Sequence, residues 1–309
     1  MNRFGSDKPD TRYGMEIQDI SEYVKDCGFG VFTGAIEAGG SVRAIVAKQA
    51  AGTLTRKEID KLTEMVKGIG AKGLAFIRWV EEKPSCSFGK FVGEDKLHEI
   101  LRALDCQQGD VVLIVADKNK VTLPVLGALR QPVARKLDLI PEGQFNFLWI
   151  TQMPFFEWDE DNNCWMAMHH PFTMPEDDCL QYLDSAPEKV IAKAFDLVLN
   201  GTELSSGSIR ITNYELQQKM FQALGLTDEE IEAKFGFLVE AYRFGAPPHG
   251  GMGIGLDRLA MVMLGVDSLR DVTAFPKVQN ASELMSGCPA EVEDKSLAEL
   301  AIKVDLPQE

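Results

Sequence analysis

The sequence predicts an α+β fold: a smaller α/β unit and, after it, a largely antiparallel sheet flanked by helices. Three observations predict it. Helical and strand patterns alternate from about residue 20 to residue 140, the Pro141-Glu142-Gly143 turn ends that texture, and beyond it aromatic strand-like runs are joined by tight turns. The expected division is therefore 1–19, 20–140 and 141–309, with the turn-rich first nineteen residues as a flank rather than a domain.

The elements follow in order. After the Lys8-Pro9-Asp10 breaker, Tyr13 to Ile17 reads as a short strand, and Ile20, Tyr23, Val24 and Cys27 recur at helical spacing. Gly30 to Ile36 and Val42 to Val46 read as strands around the Gly39-Gly40 turn. Thr55 with Glu58 three residues on predicts a capping box, opening a helix whose buried stripe is Ile59, Leu62, Met65 and Val66. Gly73 to Val80 is a strand, Leu97, Ile100, Leu101 and Leu104 mark a helix, Val111 to Ala116 a strand, and Asn119 to about Arg135 a helix with Pro124 near its first turn. In the second half, Phe145 to Trp158 and Trp165 to His170 predict one hairpin about Asp159–Asn163. Phe195 to Leu199 and Ser208 to Thr212 predict another about Asn200-Gly201. Helices follow at Tyr214 to Leu224 and at Asp228 to Phe244, the latter capped by Thr227 and Glu230. A glycine-rich strand from His249 to Gly255 leads into a helix from Leu256 to Leu264.

Composition narrows the function classes. Lysine and arginine total 32 against 47 aspartates and glutamates, a net charge of −15 that disfavours non-specific binding to nucleic acid or anionic membranes. A polyanion must be met by a local patch. The apolar runs, such as Val111 to Ala116, fall far short of the ~20 residues of a bilayer-spanning helix, and Met1 to Pro9 contain no apolar stretch of a secretory signal. The expected compartment is the cytoplasm. Six dispersed cysteines without a C-x-x-C pair suggest neither a zinc cluster nor a disulfide framework, and are expected to be reduced, mostly buried thiols.

The glycine triplet Gly251-x-Gly253-x-Gly255 does not suit a dinucleotide loop, because Pro247-Pro248 would interrupt the preceding strand and Leu256 stands where the third fingerprint glycine should fall. Small residues there instead let a ligand ring or backbone approach closely. Arg258, on the first turn of an otherwise apolar helix, needs a partner, and an ion pair or a ligand contact are equally good accounts. Asp196 and Glu203 flank the Asn200-Gly201 turn, so a hairpin can bring both carboxylates to one site; taken alone, two solvated acids beside a turn are the simpler account. His169 and His170, as neighbours on a strand, should point to opposite faces, which disfavours a shared metal.

Several stretches carry a resemblance to a known family. His249-Gly-Gly-Met-Gly-Ile-Gly-Leu-Asp-Arg-Leu259 resembles motif 3 of the class II aminoacyl-tRNA synthetases, in the wording of the bacterial aspartyl-tRNA synthetases. Arg3-Phe-Gly-Ser-Asp-Lys-Pro-Asp10 resembles the signature before their inserted domain; Ala167-Met-His-His-Pro-Phe-Thr173, Phe195-Asp-Leu-Val-Leu-Asn-Gly-Thr-Glu203 and Gly207-Ser-Ile-Arg210 resemble their active-site strands. Arg270-Asp-Val-Thr-Ala-Phe-Pro-Lys277 resembles the segment after motif 3, and residues 20–140, with Gly34-Ala-Ile-Glu-Ala-Gly-Gly40, resemble the family's GAD insert domain. Nothing before Arg3 corresponds to the anticodon-binding OB domain, motif 1 or motif 2, so the chain is expected to match the second half of such an enzyme and to be incomplete alone.

The resemblance implies a class II antiparallel catalytic sheet flanked by helices and interrupted by the smaller α/β GAD-type insert, with residues 1–19 as a flank of the catalytic domain, and ATP-dependent activation of aspartate to aspartyl-adenylate, followed by transfer to tRNA. It implies ATP as substrate, Mg²⁺ as cofactor, and a homodimer in the full-length enzyme. Arg210 matches the arginine that holds the aspartate side chain, a role for which a guanidinium fork suits a carboxylate better than a lysine. His169 matches the histidine against the amino acid, whereas His170 reads as a packed or hydrogen-bonded core histidine. Glu203 and the run Gly255, Leu256, Asp257 and Arg258 match ATP-contacting positions, Arg258 stabilising phosphate charge. Asp196 and Glu203 match the Mg²⁺ carboxylates. The alternative expectation is a non-catalytic module binding tRNA or a partner protein.

Overall fold

The apolar run Val111 to Ala116 forms the central strand of a five-stranded sheet. In this computed structural model, which describes residues 1–305, the sheet is built from β1 (Gln18–Asp19), β2 (Ser41–Ala47), β3 (Ala75–Arg78), β4 (Ser85–Cys86) and β5 (Val111–Asp117). Its order is β1-β2-β5-β3-β4 with every pair antiparallel. Strands β2 and β3 each oppose β5 and so run parallel to one another, which is why helix and strand signals alternate here although no parallel pair forms. Helices cover both faces: α3 (Arg56–Gly68) and α5 (Asn119–Lys136) on one, α1 (Ser21–Val24), α2 (Gly30–Glu37) and α4 (Glu94–Ala103) on the other. Val111, Leu113 and Val115 enter the first core, Val112 and Ile114 the second, so a strand buried on both sides needs no polar alternation.

Local expectations fail at three places in this half of the chain, the first being Tyr13 to Ile17, which forms no strand and leads into the two-residue β1. Gly30 to Ile36 is the helix α2, not a strand: both flanks of β2 are occupied by β1 and β5, and Phe32 is buried instead against Phe29 and Phe88, with ring centroids 4.8 and 5.0 Å away. The capping box at Thr55 also does not form. Glu58 turns to Lys136 and Lys61, which pull its carboxyl down to about 2.

The first residues are fastened to α5. Arg130, 2% exposed, donates to the carbonyls of Asp10 (2.8 Å), Gly14 (2.6 Å) and Met15 (3.1 Å) and lies against the rings of Phe4 and Tyr13.

After α5 come β6 (Phe147–Ile150), β7 (Met153–Pro154), β8 (Phe156–Asp159), β9 (Cys164–Ala167), β10 (Ile191–Ala192), β11 (Ala194–Leu199), β12 (Thr202–Ile209), α6 (Tyr214–Ala223), α7 (Asp228–Arg243) and β13 (Gly250–Ile254). A four-stranded antiparallel sheet has the order β13-β12-β11-β6, while β7 pairs with β10 and β8 with β9. The aromatic run from Phe145 to Trp158 is thus shared among three sheets rather than forming one strand, with Gln152 at φ 57° where it breaks. The β11–β12 hairpin turns on Asn200 (φ 51°) and Gly201 (φ 85°), the left-handed pair that such a two-residue turn requires. The Thr227–Glu230 capping box of α7 is present.

Contacts divide the chain into two compact units, Met1–Ile254 and the residues from Gly255 on. The second holds α8 (Leu256–Leu264), closed by left-handed Gly265, and a short helix Asp294–Glu299. Among the described residues, no helix is long and apolar enough to cross a membrane. The cysteines are less buried than expected: Cys106 and Cys179 are buried, Cys27 and Cys86 half-buried, and Cys164 and Cys288 exposed, all of them unbridged. Burial, with Asp110 nearby, pushes the Cys106 thiol up to about 12.

Candidate active site

Register decides which side chains meet on the four-stranded sheet. Residues opposite each other in an antiparallel pair share a face. Asp196 faces Ser206 and Gly253, and Ser208 faces Gly251, so these lie on one face, while Leu197, Ser205 and Ile254 lie on the other. Plain alternation along β12 would put Glu203 on the face opposite Ser206. A register shift between Leu197 and Val198, with Leu204 as the extra residue, resets the phase, and Glu203 pairs with Val198 on the face of Asp196. The hairpin therefore brings the two predicted carboxylates to one side of the sheet.

A cavity of about 720 Å³ is lined among others by His169, His170, Ser208, Arg210, Tyr242 and Gly251; Asp196 and Glu203 are not among its lining residues. A Cβ placed on Gly251 or Gly253 would meet nothing within 4 Å, so these glycines keep the floor of the cavity open for a ligand. Asp196 is 8% exposed and its Oδ1 has no hydrogen-bond partner; the Ser208 hydroxyl, on the cavity wall, has none either. Glu203, with its side chain 29% exposed, stands 4.0 Å from Lys8 Nζ.

The histidine pair departs from expectation. β9 ends at Ala167, so His169 and His170 sit in the bend beyond it, and both line the cavity rather than opposite faces of a strand. His170 Nδ1 lies 3.2 Å from Arg210 Nη1, 3.2 Å from the Phe172 amide and 3.4 Å from Thr173 Oγ1. Burial, then the Arg210 charge and His169, hold its pKa below the usual histidine value. The expectation of His170 as a packed or hydrogen-bonded histidine agrees with these contacts, but the sequence gave no signal for its place on the cavity wall or for Tyr242, which α7 brings there. Gly255, Leu256, Asp257 and Arg258 open α8 in the second unit, with Leu256 exposed and Arg258 half-buried. Among the described residues, no group of three or more His, Cys, Asp or Glu side chains is arranged to hold a metal ion by itself.

The sequence profile of tRNA synthetases class II (D, K and N) matches residues 1–279, and the chain belongs to this family. It is 53% identical over 305 residues to the aspartate–tRNA ligase of Ruminiclostridium cellulolyticum, an alignment covering 98% of this chain and 51% of that protein. To the aspartate–tRNA(Asp/Asn) ligase of Bacillus mycoides it is 50% identical over 309 residues, 100% of this chain and 52% of that one. The chain thus spans about half the length of the curated relatives it matches. Among solved structures, the aspartyl tRNA synthetase from Entamoeba histolytica aligns with a TM-score of 0.36 and 20% identity, over 79% of this chain and 44% of that chain.

Proposed function

We propose that this chain supplies the aspartate-recognising half of the catalytic site of an aspartate–tRNA ligase acting in the cytoplasm, homodimeric when full-length. The observation that carries the reading is the open, glycine-floored cavity with the Arg210 guanidinium at its wall, in a chain half identical to ligases of that name. Arg210 holds the substrate side-chain carboxylate through parallel charge-assisted hydrogen bonds. His169, exposed at the cavity rim, contacts the amino acid. The aspartate α-carboxylate attacks the α-phosphorus of ATP, giving aspartyl-adenylate and pyrophosphate, and the terminal ribose of tRNA then takes the aspartyl group. No protein nucleophile is needed, so the work of the side chains is positioning and electrostatic stabilisation. Arg258 and the run Gly255, Leu256 and Asp257 serve ATP.

Asp196 and Glu203 fit a magnesium ion. A buried carboxylate oxygen without a partner is a costly state that a hard cation relieves, and phosphate oxygens of ATP would complete a ligand set that two carboxylates leave open. When bound, the ion neutralises phosphate charge.

The test is aspartate-dependent ATP–pyrophosphate exchange with the 309-residue chain, alone and mixed with the separately made N-terminal half of one of the matching ligases. Exchange is expected only on mixing, and only with aspartate. Robust exchange by the chain alone would remove the half-site reading; a mixture without aspartate-dependent exchange would leave the non-catalytic binding module in its place.

We further propose that residues 20–140 fold as a unit of their own, a GAD-type domain. In support, the two cores flanking the five-stranded sheet draw on residues 17–133, and the cores of the later elements draw on residues 153–239. Limited proteolysis should release a stable fragment of that size; uniform digestion without an intermediate would count against it.

A further inference from the structure

We propose that His170 is a positioning residue: as a neutral Nε2–H tautomer, it uses the Nδ1 lone pair to orient the Arg210 guanidinium toward the cavity. The inference rests on the proposed function for what Arg210 then holds, but the tautomer and the link to Arg210 stand on geometry alone.

The argument is one of donors and acceptors. An arginine side chain only donates, and so does a backbone amide. Arg210 Nη1 and the Phe172 N–H both lie 3.2 Å from His170 Nδ1, which therefore carries no proton and accepts from them. The Thr173 hydroxyl, 3.4 Å away, is the outermost group around that single lone pair, and its proton is free to rotate elsewhere. The proton of the neutral ring then sits on Nε2. Charging the ring would place an N–H on Nδ1, pointing at two obligate donors, one of them a cation.

The surroundings oppose that charge. Arg210 stands just beyond the end of β12, His169 is the chain neighbour, and Tyr242 of α7 and His249 ahead of β13 are the other titratable groups around the cavity; no carboxylate is among its lining residues. The same consideration explains why the partner is an imidazole. A carboxylate in the place of His170 would cancel the arginine charge, whereas a neutral acceptor fixes the fork at one nitrogen and leaves the charge available to a substrate carboxylate. The ring itself is held by the segment it caps: Phe172, whose amide donates to Nδ1, packs edge-on against Phe221 and Phe235, with centroids 5.8 and 5.4 Å away.

Two measurements test this. The chain has four histidines, so ring-¹⁵N spectra of the 309-residue protein can be assigned with single variants. His170 is expected to show an unprotonated Nδ1 and a protonated Nε2, to titrate below a blocked histidine in the same buffer, and to move its midpoint upward in Arg210→Gln. A protonated Nδ1 in the neutral ring, or no response to Arg210→Gln, would overturn the proposal.

In the enzyme reassembled with an N-terminal half, His170→Phe keeps the ring packing and loses the acceptor. It should raise the aspartate KM by about tenfold or more with the ATP KM little changed. His170→Asn, whose Oδ1 can take the place of Nδ1, should restore most of the loss, and the wild-type aspartate KM should rise as pH falls through the His170 midpoint. An unchanged KM in His170→Phe, or Asn performing no better than Phe, would overturn the positioning role. If the reassembled wild-type enzyme shows no aspartate-dependent exchange, the proposed function fails instead, and the ring-nitrogen spectra decide the link between His170 and Arg210 without it.

Discussion

Arg210→Lys is expected to lower kcat/KM for aspartate in the reassembled enzyme by about 30-fold to several thousandfold, on the order of 2–5 kcal/mol, with ATP binding nearly unchanged. Two demands meet on this side chain. One guanidinium nitrogen lies against His170 Nδ1, and in the role proposed for it the opposite edge must still present two parallel donors to a carboxylate. An ammonium group offers three donors around one point and cannot satisfy a fixed acceptor and a bidentate carboxylate together. The cost should therefore fall on amino-acid recognition and not on ATP, whose proposed contacts lie on other residues. Steady-state exchange kinetics with each substrate varied in turn would show it; an unchanged aspartate KM and turnover would remove Arg210 from the site.

The residues proposed for that site come from the sequence and its family resemblance, but their arrangement on the sheet could not be read there. The Asn200-Gly201 hairpin could be read because few other residues tolerate two successive positive φ values, and the observed turn has them. The register shift at Leu204 left no mark of comparable strength, so the common face of Asp196 and Glu203 could not be derived from their spacing of seven. His169 and His170 do not take opposite faces because the run of strand-forming residues stops at Ala167, where β9 ends; alternation of faces has no meaning in the segment that follows. The same limit appears around the five-stranded sheet. Val111 to Ala116 announces a strand buried on both faces, whereas Gly30 to Ile36 satisfies strand and helix templates alike. Its helical state is settled by β1 and β5 having filled both flanks of β2, a tertiary fact that no local window contains.

Arg130→Met is expected to cost about 3–5 kcal/mol of stability, because three carbonyls, that of the buried Asp10 among them, lose a charged donor at once. The partners lie 115 to 120 residues away in sequence, which is why an arginine inside an amphipathic helix gave no hint of its role. Methionine would keep much of the aliphatic packing against Phe4 and Tyr13 but offers no donor to the carbonyls of Asp10, Gly14 and Met15. The consequence should reach the candidate site. Asp10 lies beneath the β11–β12 turn, where a Cβ on Gly201 would stand 3.3 Å from its own, and Lys8 is 4.0 Å from Glu203. Both belong to the segment that Arg130 fastens to α5. Urea denaturation should report the lost stability, and hydrogen exchange should show the Ile17 amide, which donates to the Arg3 carbonyl, losing protection before the amides of β5. Unchanged stability with unchanged protection at Ile17 would mean that the segment is held by Asp10–Arg12 pairing and strand β1 alone, and that the arginine is dispensable.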